Sequence, residues 1–144
     1  MILEMDEAGL SQYYQDVLST GKLRTLEHAH RWSSGVLKTF GLCLDRKTKK
    51  ALAKSLPDEL AESLTAIFWL LHFRDPQISK QEFLMRVARR SGNTDAEFAH
   101  YPTLAVFGGI KQFIDGDLEN RVSKALSQEV QELWQEAERV KTAA

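Results

Sequence analysis

Two stretches carry residues that could do chemistry together. Glu27-His28-Ala29-His30 and Glu97-Phe98-Ala99-His100 both contain Glu-x-x-His. On a helix that spacing sets carboxylate and imidazole on one face. With acidic residues from other helices, Glu59 and Glu129 or Glu62 and Glu132, they have the composition of a di-metal carboxylate site. Simpler roles compete. Glu97 suits a capping box, and the other four glutamates suit first helical turns, where the helix dipole favours carboxylates. Carboxylate-bridged bundles also use longer helices than this sequence offers. His28 and His30 stand two apart and do not face one ligand. Metal binding is therefore the weakest reading, and no residue is assigned as a metal ligand.

Nucleophilic chemistry finds less support. Cys43 lies among Phe40, Leu42 and Leu44, the setting of a buried, inert thiol. His72 sits within an apolar run and reads as a core histidine. No Gly-x-Ser-x-Gly elbow occurs, and no glycine-rich phosphate cradle. Gly108–Gly109 falls in a helical pattern and reads as a place of close helix packing. No catalytic residue and no cofactor follow from these patterns, so the sequence offers no ground for an enzymatic activity.

Charge is informative locally rather than globally. Nineteen Lys and Arg balance twenty Asp and Glu, a net charge of −1, so overall charge makes no case for nucleic acid or an anionic membrane. Arg46, Lys47, Lys49, Lys50 and Lys54, however, make one helix basic, and Arg86, Arg89 and Arg90 end another. These eight residues form the candidate anion or nucleic-acid patch; a solvated helix face is the plainer explanation. Asp115, Asp117 and Glu119 make a third helix acidic at its start. Basic and acidic surfaces of this kind could pair between molecules, with charge setting orientation more than strength.

The elements that position these groups are helices. Ala, Leu, Glu, Lys, Gln and Arg predominate, with three prolines and eight glycines in 144 residues. A chain of this length holds a core without disulfide or metal. A single cysteine admits no intrachain disulfide and suits a reducing cytoplasm. The acidic first residues do not read as a secretory signal. The longest apolar stretch, Ala66–Phe73, falls well short of the about 20 residues a membrane span needs.

The strongest pattern is an internal match at an offset of 70 residues. Glu27–Leu64 aligns with Glu97–Trp134 without a gap, and nine positions are identical, among them His30/His100, Asp45/Asp115 and Glu59/Glu129. Chance would supply roughly two or three. Apolar positions agree as well, as in Leu52/Val122 and Leu60/Val130, so a burial pattern is shared. Tyr13, Tyr14, Val17 and Leu18 stand opposite Phe83, Leu84, Val87 and Ala88, one face of a helix in each case. The expectation is an all-α fold: a tandem duplication of a roughly four-helix unit, packed into one compact domain over residues 1–144 with pseudo-two-fold symmetry. The first repeat spans about residues 10–75 and the second about 80–140.

Boundary signals can be placed within the repeats. Ser79 with Glu82 and Thr94 with Glu97 read as capping boxes, Gly92 as a stop, and Ser127 as the start of the last helix. Pro57 suits the first helical position of its helix. Pro102 inside the second repeat's second helix predicts a kink or a restart. The repeats differ where Ala66–Phe73 is apolar all round. This predicts that the first repeat's fourth helix continues to about Asp75–Pro76 and crosses the centre of the molecule, clasped by both halves.

Leu56–Pro57–Asp58–Glu59–Leu60, the run Ile78–Ser79–Lys80–Gln81–Glu82–Phe83–Leu84–Met85–Arg86–Val87–Ala88, and the pairs Val36–Leu37 and Val106–Phe107 carry a resemblance. Over roughly residues 10–135 the chain resembles an uncharacterised prokaryotic family, domain of unknown function 2267. The resemblance implies a duplicated all-helical fold and no particular activity. Three functions are expected in descending order: a cytoplasmic, non-enzymatic interaction module binding a protein partner or a second copy of itself; a nucleic-acid-binding accessory protein; and a metal-binding helical protein.

Overall fold

The computed structural model describes residues 2–67, 77–93 and 95–139, with side chains from residue 8 onward. Eight α-helices lie within them: α1 (Ile2–Thr20), α2 (Leu26–Gly41), α3 (Arg46–Ser55), α4 (Asp58–Leu64), α5 (Lys80–Arg90), α6 (His100–Lys111), α7 (Gly116–Ala125) and α8 (Gln128–Glu136). A 3-10 turn, Ala96–Ala99, leads directly into α6. No strand occurs among the described residues, and no described helix is long and apolar enough to cross a membrane.

Local chemistry explains the helix starts. Asp45 and Asp115, 70 residues apart in sequence, each cap a helix: Asp45 accepts the Thr48 N–H at 3.3 Å and Asp115 the Leu118 N–H at 2.8 Å. Thr25 accepts from His28 at 3.1 Å, Ser79 from Glu82 at 3.0 Å and Ser127 from Val130 at 3.3 Å. Each bond satisfies an amide that the first helical turn leaves without a partner.

Helices α1 and α5 stop in the same way. The N–H of Leu23 reaches the Leu18 carbonyl at 2.9 Å, and that of Asn93 reaches the Ala88 carbonyl at 2.8 Å. Both are Schellman closures around a left-handed residue. That residue is Gly92, at φ +81°, after α5, and Lys22, at φ 57°, after α1. Glycine takes this conformation freely, whereas lysine does so at a cost.

Packing is reciprocal. α1 lies against α6, α5 lies against α2, and α2 and α6 touch each other. α3 meets α7, while α4 and α8 close on α2 and α6 respectively. The interior is aromatic where these elements meet. Phe40 and Phe107 lie 4.7 Å apart by ring centroid, Phe40 stacks on Trp134 at 5.5 Å, and Phe107 meets Trp134 edge-on at 5.3 Å. All three are sealed from solvent. Burying each such ring contributes about 1.5–3 kcal/mol.

Several sequence-based expectations change here. α4 ends at Leu64, with Thr65 folding its hydroxyl onto the Ala61 carbonyl at 2.8 Å. It does not run on toward Asp75–Pro76. Ala66 is exposed and Ile67 half-buried; Phe68–Phe73, and His72 among them, lie outside the described residues. Pro57 is the N-cap rather than the first helical residue. Thr94 lies outside the described residues, and Asp95 does the capping there, accepting the Glu97 N–H at 2.9 Å. The restart expected near Pro102 is found. The chain makes a 3-10 turn and restarts at His100, leaving Pro102 in the first turn of α6, where its missing N–H has no helical partner to lose.

Candidate functional site

The predicted basic patch divides in two. On α3, Arg46, Lys47, Lys50 and Lys54 are exposed. Their spacing puts them on one helix face, and none forms an ion pair among the described residues. Lys49 does not belong with them. It is buried, and its Nζ donates to the Ile67 carbonyl at 3.4 Å. Burial pulls its pKa below the ordinary lysine value.

The α5 arginines are differently occupied. Arg86 pairs with Glu82 at 3.0 Å, and Arg90 reaches across to the Thr39 hydroxyl of α2 at 3.1 Å. Burial lowers the Arg90 pKa, and Arg86 adds repulsion. Of the three, only Arg89 is exposed; Arg86 and Arg90 are half-buried. α3 packs on α4 and α7, whereas α5 packs on α2, the 3-10 turn, α6 and α8. The basic α3 and the acidic-starting α7 are thus neighbours within one molecule.

The two Glu-x-x-His pairs are engaged separately. Glu27 pairs with Arg31 at 3.6 Å, His30 with Glu59 at 3.4 Å, and His100 with Glu136 at 3.2 Å. Glu129 accepts the Lys80 N–H at 3.1 Å. Among the described residues no three His, Cys, Asp or Glu side chains are placed to hold a metal. Cys43 is buried, its Sγ directed at the Thr39 carbonyl at 3.5 Å.

One cluster escaped the sequence. The Tyr14 hydroxyl donates to Glu59 Oε1 at 2.8 Å, and the same oxygen faces His30 Nδ1 at 3.4 Å. The imidazole stacks on the Tyr14 ring at 3.6 Å between centroids. A cavity of about 250 Å³ opens against this group, walled by Leu10 and Leu26. Burial first, then the Glu59 hydrogen bond and charge, push the Tyr14 phenol far above its usual value. At neutral pH it is a fixed donor to Glu59 and not a base.

A second cleft, of about 290 Å³, lies where the two Schellman turns approach one another. Lys22, Arg24, His28 and Arg31 line it from the α1–α2 side, with the rings of Trp32 and Phe98. Ser91, Gly92 and Asn93 close the other side. Phe98 stacks over Trp32, centroids 6.3 Å apart and planes 27° from parallel. Trp32 is buried beneath it, while Phe98 is 56% exposed. Beside the cleft, Lys22 Nζ sits 4.0 Å above the Tyr101 ring, and Tyr101 is also exposed. Five basic residues within ten positions, Lys22, Arg24, His28, His30 and Arg31, and an adjacent tryptophan are visible in the sequence. Nothing in the sequence ties Phe98 and the Gly92 turn to them, because only the packing of α5 on α2 brings these segments together.

Comparison with curated proteins yields no match. A family model matches residues 11–133 of the 144, and its span takes in both turns, the α3 face and the Tyr14 cluster. The chain belongs to the family described as Uncharacterized conserved protein (DUF2267).

Proposed function

We propose that the protein is a non-enzymatic helical interaction module of the cytoplasm, one domain made by tandem duplication of a roughly four-helix unit with pseudo-two-fold symmetry. The observation that carries the module reading is the exposed aromatic surface of Phe98 and Tyr101, rimmed by Lys22, Arg24 and Arg31. Aromatic anchors ringed by cations are the composition of interaction hot spots. The duplication draws support from the caps Asp45 and Asp115, from α3 and α7 with bounds 70 residues apart, and from the reciprocal packing of α1 on α6 and α5 on α2.

The test is capture from the protein's own cell extract at low and high salt, alongside analytical ultracentrifugation. A specific partner or a second copy should be held by the wild type and lost by Tyr101→Ser. A strict monomer that captures nothing overturns the reading.

One observation favours a second reading, a nucleic-acid-binding accessory protein. Arg46, Lys47, Lys50 and Lys54 stand exposed and unpaired among the described residues on one face of α3. Binding to duplex DNA should then weaken steeply with salt and be lost in a Lys47→Glu/Lys50→Glu variant. Absent or salt-independent binding rejects it.

A further inference from the structure

We infer that the cleft between the two turns binds a small phosphorylated ligand carrying a planar ring, of the nucleoside-phosphate class. This goes beyond the interaction reading and stands without it.

Charge points to the anion. Lys22, Arg24, His28 and Arg31 converge on one cleft, and no carboxylate stands among the residues lining it. Counter-charges stand outside it: Glu27 is bound to Arg31 at 3.6 Å through a side chain that is 82% exposed, and Asp95 caps the 3-10 turn beyond Asn93. Guanidinium groups match phosphate oxygens in pairs, and an ammonium adds a compact charge. Asn93 fits the same ligand: its Oδ1 is taken by the Asp95 N–H at 2.8 Å, so its side chain has donors left to offer.

Shape and rings point to the rest of the molecule. A cleft of about 290 Å³ is roomier than a bare phosphate requires. Phe98 offers a solvent-exposed ring backed by the buried indole of Trp32, and ring-on-base stacking contributes about 1–3 kcal/mol per base. Two turns bound the cleft, which suits a mononucleotide better than a continuous strand.

Backbone conformation supplies an independent pointer. Lys22 is the one non-glycine residue with positive φ among the described residues, and it lines this cleft. At the corresponding turn after α5 the chain uses glycine. Strain that glycine would relieve is retained by a lysine that lines the cleft and rests its ammonium on the adjoining Tyr101 ring, and stored strain tends to mark function.

The experiment is calorimetric titration of the full chain with adenosine, guanosine and uridine monophosphates, with inorganic phosphate and adenosine as separate arms. At least one monophosphate should bind saturably in the millimolar range or tighter. Phosphate alone and adenosine alone should each bind about tenfold more weakly or worse. An Arg24→Gln/Arg31→Gln variant, altered only at exposed positions, should lose about tenfold in monophosphate affinity with its circular dichroism unchanged. Phe98→Ser should weaken the monophosphate and leave phosphate alone unaffected. Absence of saturable binding overturns the inference, as does binding indifferent to the two arginines. An oligonucleotide binding more tightly than any monophosphate also overturns it, in favour of a nucleic-acid surface. Tyr101 lies outside the cleft lining but holds Lys22 against its ring, so the two readings are separated on the wild type: failed capture from extract overturns the interaction module alone, and failed monophosphate titration overturns this site alone.

Discussion

The carbonyl oxygen of Leu64 fills the space that a β-carbon on Gly41 would need. This is where the end of α2 crosses the end of α4, and the obstacle is backbone that cannot rotate away. Gly41→Ala should therefore destabilise the protein by about 1–3 kcal/mol, read as a lower urea midpoint at unchanged slope. Gly116→Ala is the matched control. A β-carbon at Gly116 would meet nothing within 4 Å, and alanine at this first residue of α7 should be neutral or stabilising by about 0.5–1 kcal/mol. Equal effects at both sites would contradict the packing described for α2 on α4.

Lys111 does a different job on the second half of the chain. It is buried, and its Nζ donates to the carbonyls of Trp134 and Ala137 at the end of α8 while lying 4.7 Å above the Trp134 ring. Burial holds its pKa below the lysine norm. Lys111→Met keeps the aliphatic stem but leaves two carbonyls without their donor. A loss of about 1–3 kcal/mol is expected by chemical denaturation. An unchanged midpoint would mean that these bonds add nothing net.

Alkaline pH should unfold the protein through its tyrosines. Burial raises the Tyr13 and Tyr14 phenols well above the ordinary value of 10.0. The unfolded chain releases these protons near pH 10 while the folded chain keeps them. Their contribution is therefore whole below that pH and is lost as pH climbs above it. Lys49 and Lys111 act with the opposite sign. Their folded pKa lies below 10.5, so between that lowered value and 10.5 the unfolded state binds the extra proton and stability rises with pH. Melting temperature should thus hold or rise slightly toward about pH 10 and fall beyond it. Tyr14→Phe should make the fall shallower, and a melting temperature still climbing beyond about pH 11 would refute the assignment.

Ser127 binds two elements at once. Its hydroxyl oxygen accepts from Val130 N–H, capping α8, and its O–H donates to the Ile78 carbonyl at 2.7 Å, just ahead of α5. Ser127→Ala removes both and leaves the Ile78 carbonyl without that donor. The expected cost is about 2 kcal/mol or more, with faster hydrogen exchange at the start of α8. A cost below about 0.5 kcal/mol would show that water replaces the hydroxyl.

What the sequence reveals and conceals follows from the range of the interactions. The third helices can be placed from Asp45, Asp115 and the apolar residues after them, because a cap is settled within three residues. The break at Pro102 is legible for the same local reason. Lys49 joins the exposed patch only by residue type. Its helical phase, three residues before the buried Leu52, sets it on the inward flank, away from Lys47, Lys50 and Lys54. The contact between Tyr14 and Glu59 spans 45 residues, and the cleft joins Arg24 to Phe98. No periodicity carries such pairings, since they depend on which helices meet.

The two buried lysines also bear on how the halves can change. Lys49 serves the carbonyl of Ile67, and Lys111 serves that of Ala137, which stands 70 positions later. Yet the lysines themselves do not correspond: position 119 holds Glu, paired with Arg139 at 3.3 Å, and position 41 holds Gly. A lysine grafted at 41 would strike the Leu64 carbonyl, and one at 119 would forfeit the Arg139 pair and crowd Lys111. Neither half can adopt the other's solution by a single substitution, so a chain stitched from two identical halves would need compensating changes at several of these positions before it could fold as this one does.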